Sequence, residues 1–493
     1  MNSDVETAVN NSLGDQSNDK KSDTHRKPTS LSVDPNVVSW EPNDPEHPMN
    51  WPRHKRALHI VIISFMTLTV NLAATLFAPA AADLAHDFSI TDSKIMVLTV
   101  SVYMLGFAIG PLLVAPMSEL HGRFWIYNIC NVCFLTMNIG CAAAPNLGGF
   151  LACRFFAGAA GSAPVTIGGG TIADVTKPET RGKAMAGFAL GPLLGPVLGP
   201  VIGGFVAADL GWRWTLWIIS ILSGINLAIC AIFMRETYAP VILARRVARL
   251  RKETANPDLQ PEGAKPIKAS ALLLQATTKA LRLLFTNPIV SLLSLFNAFT
   301  FGLLFLLFTT FPSVFVGQYN FSTSTSGLSY LGLGIGMILG LISFGITSDR
   351  IMTAQSGPPK PENRLIPMIY VSPVFSVGVF WYGWAAEYRV HWIVPIIGSS
   401  FIGLGILFVL MPSQIYVVDI FGANGAASAL AALLVFRCFF AAFMPLAGPP
   451  MYEDLGLGWG NSVLGFIAVV FIPVPIFFYK YGETLRKKFY NDS

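Results

Sequence analysis

Twelve apolar stretches, each about as long as a membrane-spanning helix, dominate this sequence. A helix needs about 20 apolar residues to cross the hydrocarbon core of a bilayer. In lipid the backbone must satisfy its own hydrogen bonds, and long apolar stretches do so as helices. The sequence therefore predicts an all-α membrane protein with spans near residues 57–79, 95–117, 124–144, 149–172, 183–207, 213–234, 288–312, 327–347, 365–386, 391–417, 426–449 and 460–480.

The composition excludes several classes of protein. Of the 493 residues, 53% are hydrophobic and 12% are charged, whereas about 25% of the residues in a soluble domain are charged. Such a chain lacks the polar surface of a soluble enzyme, a nucleic-acid-binding protein or a disordered scaffold. The net charge of +5 is small, and we assign it to basic loops rather than to a nucleic-acid partner.

The positions of the basic residues predict the topology. Lys and Arg precede the first span, follow the fourth, fill the stretch between the sixth and seventh, and end the chain. Because cytoplasmic loops are enriched in these residues, we expect both termini to be cytoplasmic. The predicted segments are a disordered cytosolic tail, a six-helix bundle, a cytosolic central loop, a second six-helix bundle and a cytosolic tail, at residues 1–56, 57–234, 235–287, 288–480 and 481–493.

The two halves share a short internal repeat. Repeated six-helix units are typical of transporters in which two bundles rock around a site at their interface. At a constant offset of 230 residues, the matching positions are Gly106 and Gly336, Gly110 and Gly340, Ser118 and Ser348, and Glu119 and Asp349.

Charged residues follow the repeated glycines at the ends of the second and eighth spans. Glu119 and Arg123 lie four residues apart around a tight turn, and Asp349 and Arg350 end the eighth span. We expect these charges to hold the two bundles together on the cytoplasmic side and to separate when the bundles rock. The alternative is an incidental ion pair in a basic loop, which contributes little at a surface.

Two arginines lie well inside predicted spans, Arg154 in the fourth and Arg437 in the eleventh. A charge at the centre of a bilayer costs about 2.5–3.5 kcal/mol on insertion scales and usually marks a pathway. The alternative for Arg154 is that its side chain extends to the outer interface. Asp174 follows Arg154 by twenty residues, or about 30 Å of helix, which predicts that it reaches the cytoplasmic surface near Glu119 and Arg123.

The fifth span carries a ladder of glycine and proline. Glycines at a spacing of four fall on nearly one helix face and permit close helix contact, while prolines bend the helix. Helix dimerisation would need only one Gly-x-x-x-Gly pair, so the longer ladder predicts a groove in which a neighbouring helix slides. The ladder consists of Gly187, Gly191, Pro192, Gly195, Pro196, Gly199, Pro200 and Gly203.

Together these motifs resemble those of the major facilitator superfamily, in its fungal branch of drug:proton antiporters with twelve spans. The turn after the second span is similar to the loop motif of that superfamily. The stretch from Arg154 to Asp174 resembles its proton-coupling motif, and the glycine ladder resembles the antiporter motif of its exporters. The resemblance covers about residues 40–485, with further similar segments at 40–51, 235–238, 361–365 and 428–446.

The resemblance implies the major facilitator fold, in which two six-helix bundles are related by a pseudo-two-fold axis. It also implies a proton-coupled secondary active exporter of drugs, toxins or fungal secondary metabolites. The expected partners are a small-molecule substrate, protons and the lipid bilayer. We expect a monomer in the plasma membrane, without a cofactor or a bound metal. Asn320 heads a glycosylation sequon in a loop predicted to lie outside.

The proton-binding group is harder to assign, because no Asp or Glu lies in the middle of spans 1, 4, 7 or 10. Such a group is usually a carboxylate whose pKa is raised by desolvation. We therefore expect coupling through an acid at the end of a span, such as Asp174 working against Arg154.

Predicted residues of the substrate cavity follow from the helices that line it in this fold. An aromatic lining favours neutral or cationic amphipathic molecules, although each residue is equally consistent with interhelical packing. The candidates are Asn71, Tyr103, Asn297, Phe301, Gln414 and Arg437.

Three other interpretations remain. An antiporter of polyamines or other nutrients would need several acids in its cavity. A membrane enzyme would carry a Gly-x-Ser-x-Gly, His-Glu-x-x-His or phosphate-loop motif, and the sequence has none. A sensor with a transporter fold would signal through its long tail, in which we find no docking motif.

Overall fold

The computed structural model describes residues 36–41, 43–263, 269–353 and 360–489. Almost all of this chain is helical, which confirms the predicted all-α fold. The first half contains α1 (Arg53–Thr75), α2 (Ala81–Asp87), α3 (Ser93–His121), α4 (Arg123–Ala142), α5 (Leu147–Gly161), α6 (Ala163–Val175), α7 (Pro178–Leu210) and α8 (Trp212–Phe233). The connection contains α9 (Ala239–Thr254) and α10 (Ala269–Thr286). The second half contains α11 (Pro288–Gly317), α12 (Thr323–Leu328), α13 (Tyr330–Thr353), α14 (Ile366–Glu387), α15 (Ile393–Phe443), α16 (Gly448–Phe471) and α17 (Pro473–Phe489).

Eleven helical stretches of the described chain are long and apolar enough to cross a membrane. The last of them, Ser428–Lys487, has 60 residues, which is about 90 Å of helix and three times the hydrocarbon thickness. Gly456 interrupts this stretch with a φ of 73° and a ψ of 174°. The stretch is therefore long enough for two crossings, which agrees with the twelve spans that the sequence predicts.

Glycine and proline mark other breaks within the spans. The fourth span is divided between α5 and α6 near Pro164, because proline has no N–H to continue the helix. Within α15, Gly422 has a φ of 56° and a ψ of −163°. The tenth span therefore ends at Gly422, and the eleventh follows it.

The two halves share one apolar core, to which α1 and α3 contribute from the first half and α11, α13 and α15 from the second. Helix α11 is deeply enclosed, since Phe308 and Phe311 on it are fully buried. Their rings lie 5.6 and 5.0 Å from the ring of Tyr330 on α13. In contrast, large apolar side chains such as Trp125 and Val470 are exposed, as expected where spans face lipid.

The segment before α1 is ordered from residue 36 onward, whereas the sequence predicts disorder over 1–56. Strand β1 (Val37–Val38) pairs in parallel with strand β2 (Gln260–Pro261) of the central loop. Residues 1–35 lie outside the described part. The N-terminal segment and the central loop therefore form one folded unit.

Side-chain contacts hold this unit on the bundle. Leu243 and Val247 bury one face of α9. Arg246 of α9 forms an ion pair with Asp44, whose side chain is 5% exposed. We call the end of the bundle that carries α9 and the start of α1 the terminal face.

Candidate functional site

A turn between α3 and α4 on the terminal face depends on a glycine and a distant carboxylate. Gly122 has a φ of 94°, which favours glycine. A Cβ at this position would also overlap the carboxylate of Glu236. The N–H of Arg123 donates to Oε1 of Glu236 at 2.8 Å, and the N–H of Phe124 donates to Oε2 at 3.3 Å. Glu236 therefore caps the start of α4, where a negative charge is favourable.

Glu236 also folds its own segment. Its Oε1 accepts the N–H groups of Thr237 at 3.1 Å and Tyr238 at 3.0 Å. The side chain is 8% exposed, and the guanidinium of Arg245 lies 4.0 Å from it. One carboxylate thus connects the end of the sixth span to the turn between the second and third spans.

The side chain of Arg123 joins three further groups at this turn. Its Nε donates to Oδ2 of Asp174 at 3.3 Å, and its Nη1 donates to Oγ of Ser118 at 2.6 Å. Its Cζ lies 4.8 Å from the ring centre of Tyr238. The predicted proximity of Asp174 and Arg123 is present, whereas Glu119 is exposed and has no ion pair within the described chain. We call Arg123, Ser118, Asp174 and Glu236 the first-half cluster.

The second half has a related arrangement. Nε of Arg364 donates to Oδ2 of Asp419 at 3.1 Å, and Nη1 of Arg364 donates to Oγ of Ser348 at 3.3 Å. Ser348 is the repeat partner of Ser118, so both arginines bind a matching serine and an acid. The sequence predicted Asp349 and Arg350 for this role. Arg350 is exposed at the end of α13, and the side chain of Asp349 lies outside the described part.

Arg154 is fully buried in the first half. Its Nη2 donates to the carbonyl oxygen of Ala73 at 2.8 Å. Its Cζ lies 4.8 Å from the ring centre of Tyr103 and 5.6 Å from that of Phe77. Arg154 therefore does not extend to an interface. It also does not touch Asp174, the partner that the sequence analysis proposed, because Asp174 lies in the first-half cluster.

The glycine ladder packs against α1. A Cβ at Gly195 would lie 2.5 Å from Cβ of Asn71, and a Cβ at Gly191 would lie 2.9 Å from N of Leu68. Gly199 and Gly203 leave even less room, beside Thr75, the last residue of α1, and Leu76, which follows it. In contrast, Gly187 has no atom within 4 Å of such a Cβ. Pro192, Pro196 and Pro200 lie within the same helix without ending it.

The end of the ladder reaches the other half. A Cβ at Gly327 of α12 would lie 2.6 Å from the carbonyl oxygen of Pro200, and a Cβ at Gly204 would lie 3.0 Å from that of Thr323. These contacts lie at the far end of α7 from the terminal face. They close the two halves together at that end.

The predicted cavity residues are only partly brought together. Tyr103 is fully buried and donates from its hydroxyl to the carbonyl oxygen of Val70 at 2.9 Å. Asn71 donates to Thr67 of its own helix at 2.8 Å. Gln414 is partly exposed on α15.

Of the remaining predicted residues, Asn297 and Phe301 lie on α11, and Phe301 contacts Arg437 of α15. Asn297 is 1% exposed and donates to the carbonyl oxygen of Leu293 at 2.8 Å. Phe301 lies one turn further along α11, and Cζ of Arg437 lies 4.9 Å from its ring centre.

Comparison with known proteins identifies the fold's family. The family model of the Major Facilitator Superfamily matches residues 63–445. The chain belongs to this superfamily. The "MFS transporter fsa7" of a Fusarium species is 55% identical over 461 residues, which cover 93% of this chain and 91% of that protein. The "Trichosetin biosynthesis cluster MFS transporter" of Gibberella fujikuroi is 50% identical, over 93% of this chain and 90% of that protein.

Solved structures agree on the fold. The crystal structure of a D-xylose-proton symporter superimposes with a TM-score of 0.66 and covers 84% of this chain and 97% of its own. At 16% identity this similarity shows the major facilitator fold alone. The family match and the fungal relatives show that the chain is a multi-pass membrane transporter rather than an enzyme.

Two residues of the terminal face, Glu236 and Arg364, were not predicted from the sequence. Both lie in segments that the sequence analysis noted as family-like, 235–238 and 361–365. An acid after the sixth span and a base before the ninth were the available signals.

Proposed function

We propose that this superfamily member is a proton-coupled exporter of small amphipathic organic molecules and works by alternating access. Fungal secondary metabolites are the proposed cargo class, since one relative is named for a trichosetin biosynthesis cluster. The tight packing of the glycine ladder on α1 supports a rigid first half that moves as one body. The basic terminal face is proposed to be cytoplasmic in the plasma membrane, and the exposed Asn320 would then lie outside.

The observation that carries this proposal is the ion pair between Arg123 and Asp174. The pair joins the turn after α3 to the end of α6, and the Asp174 side chain is only 19% exposed. A buried pair that loses one charge is strongly weakened, because the remaining charge stays partly desolvated. Such a pair is suited to respond to a single proton.

Asp174 is therefore the proposed proton-binding group. Protonation would leave Arg123 with the hydroxyl of Ser118 and the ring of Tyr238 as partners. The turn between α3 and α4 would then lose its link to the end of α6, and the terminal face could open. Arg154 would keep α5 attached to α1 through Ala73 during this movement.

Efflux from cells tests this proposal. Cells expressing the wild type, Asp174→Asn or Asp209→Asn are loaded with labelled amphipathic probes, namely lipophilic cations, neutral azole-like compounds and organic acids, with and without a protonophore. Asp209 is the matched control, because it is exposed at the end of α7 that lies away from the terminal face and has no ion pair in the described chain. We expect protonophore-sensitive efflux in the wild type and in Asp209→Asn, and its loss in Asp174→Asn. Equal, protonophore-insensitive efflux in all three would contradict proton coupling through Asp174.

A further inference from the structure

Arg437 lies near the middle of the eleventh predicted span, 426–449. It follows the break at Gly422 by fifteen residues and precedes the break at Gly456 by nineteen, or about 22 and 28 Å of helix. Helix α15 packs against α11 of its own half and against α3 of the other half. The position is therefore close to the junction of the two halves, where transporters of this fold class bind substrate.

The guanidinium of Arg437 has aromatic neighbours but no acid. Its Cζ lies 4.9 Å from the ring centre of Phe301, and its buried Nε has no hydrogen-bond partner in the described chain. The thiol of Cys438 contacts the guanidinium, but a thiol is a weak acceptor and does not balance its charge. The residue as a whole is partly exposed.

Several arginines of the described chain have a counter-charge. Each of seven arginines lies within 4.0 Å of a carboxylate, namely Arg123, Arg213, Arg245, Arg246, Arg249, Arg364 and Arg486. Arg437 and Arg154, the two arginines inside the predicted spans, have no such partner in the described chain. A cation in the membrane usually pairs with another group or marks a substrate pathway.

A second polar residue, Asn297, lies near Phe301 in the sequence of α11. Asn297 precedes Phe301 by four residues, which places both on one helix face. Asn297 is 1% exposed, and its Oδ1 has no hydrogen-bond partner in the described chain. The face of α11 that meets Arg437 thus combines an aromatic ring with an amide.

We propose that the cargo carries an acidic group that is ionised at neutral pH, and that Arg437 binds this anion against Phe301. The apolar body of the molecule would pack on the aromatic side chains around it, such as Phe436 and Phe440, whose rings lie 5.1 Å apart. This inference rests on the proposed export function and names its substrate class. It replaces the expectation of a neutral or cationic cargo, because that expectation came from the aromatic residues and gave no weight to the unpaired cation.

Arg154 is not assigned this role. It is fully enclosed within the first half, donates to Ala73 and lies against two aromatic rings. Arg437 is the more accessible of the two intramembrane arginines.

Binding of paired probes to the purified full-length protein in lipid nanodiscs tests the inference. The probes are dansyl-labelled carboxylic acids of three chain lengths and the methyl ester of each. The variants are Arg437→Gln, Arg437→Lys and the control Arg213→Gln, whose arginine pairs with Asp87 away from the proposed site. Size-exclusion profiles establish that each variant is folded.

We expect at least one acid to bind the wild type about tenfold or more tightly than its ester, as a charged hydrogen bond implies. Arg437→Gln should reduce this ratio to about one, Arg437→Lys should retain part of it, and Arg213→Gln should leave it unchanged. If no acid binds better than its ester, or if the preference survives in Arg437→Gln, the inference is wrong. Because this readout needs no proton gradient, loss of proton coupling in the efflux assay would leave it unaffected.

Discussion

Replacing Gly195 by alanine should separate α7 from α1. The added Cβ would lie 2.5 Å from Cβ of Asn71, 2.8 Å from its carbonyl carbon and 2.9 Å from N of Leu72. Two of these three atoms belong to the backbone, so a change of rotamer cannot remove the clash. The helices must move apart instead.

The size of the effect follows from these distances. Non-bonded carbon atoms are ordinarily about 3.5–4.0 Å apart, so α1 and α7 must separate by about 1 Å. Extra methyl groups in a packed interior typically cost about 1–3 kcal/mol. At Gly187, which has open space around it, alanine should instead stabilise the helix by up to about 1 kcal/mol. The two variants should therefore differ by about 1–4 kcal/mol.

Thermal unfolding of the purified variants in one detergent measures this difference. We expect the Tm of Gly195→Ala to fall and that of Gly187→Ala to stay equal to the wild type or rise. The hydrogen bond from Thr75 to the carbonyl oxygen of Gly195, 3.2 Å long, should also weaken as the helices separate. If Gly195→Ala and Gly187→Ala had the same Tm and the same efflux rate, close packing of the ladder on α1 would be refuted.

Three further predictions concern single side chains. Arg154→Met should raise or preserve the Tm, because an unpaired buried charge is removed. The same variant should lower the efflux rate about tenfold or more. A lower Tm with normal efflux would make Arg154 purely structural. Glu236→Gln should lower the Tm, since an amide has one acceptor oxygen for the N–H groups that both carboxylate oxygens bind; an unchanged Tm would contradict the capping role. Burial alone raises the pKa of Asp44, but the hydrogen bond from Glu46 and the contact with Arg246 bring that pKa below its usual range. The ionised Asp44 carboxylate therefore contributes to stability above about pH 4, and this contribution is lost as the pH falls through the lowered pKa. Asp44→Asn should consequently increase proteolysis of the N-terminal segment at neutral pH, and equal proteolysis of both proteins would contradict this.

The parts of the fold that follow from local pattern could be predicted from the sequence. The spans are evident because each needs only a continuous apolar stretch. The close contact of the ladder follows from glycine spacing, although the spacing does not tell which helix it meets, and the structure assigns α1. Asp174 lies near Arg123 because helix length alone carries it to that end of the span.

Partners that are distant in sequence could not be predicted in this way. Glu236 caps a helix that begins 113 residues earlier, and nothing local to either residue indicates that contact. Arg364 takes the place expected for Arg350 because a residue of the next loop, rather than of the same helix, reaches Ser348. The ordered segment from residue 36 was missed because its polar composition is typical of disorder, whereas its fold depends on α9 and β2.

Exchange of cargo for protons is most directly measured in proteoliposomes with an acidic lumen. Three dansyl-labelled amphipathic probes, one cationic, one neutral and one sulfonate, are added outside, and the lumenal pH is followed with a trapped dye. Protein-free liposomes and Asp174→Asn correct for passive entry. We predict that at least one probe accumulates only with the wild-type protein and that its entry speeds the rise of lumenal pH. A protonophore should abolish both the accumulation and the probe-dependent acceleration. Entry of every probe at a rate that does not depend on the pH gradient would contradict the proposed proton-coupled export.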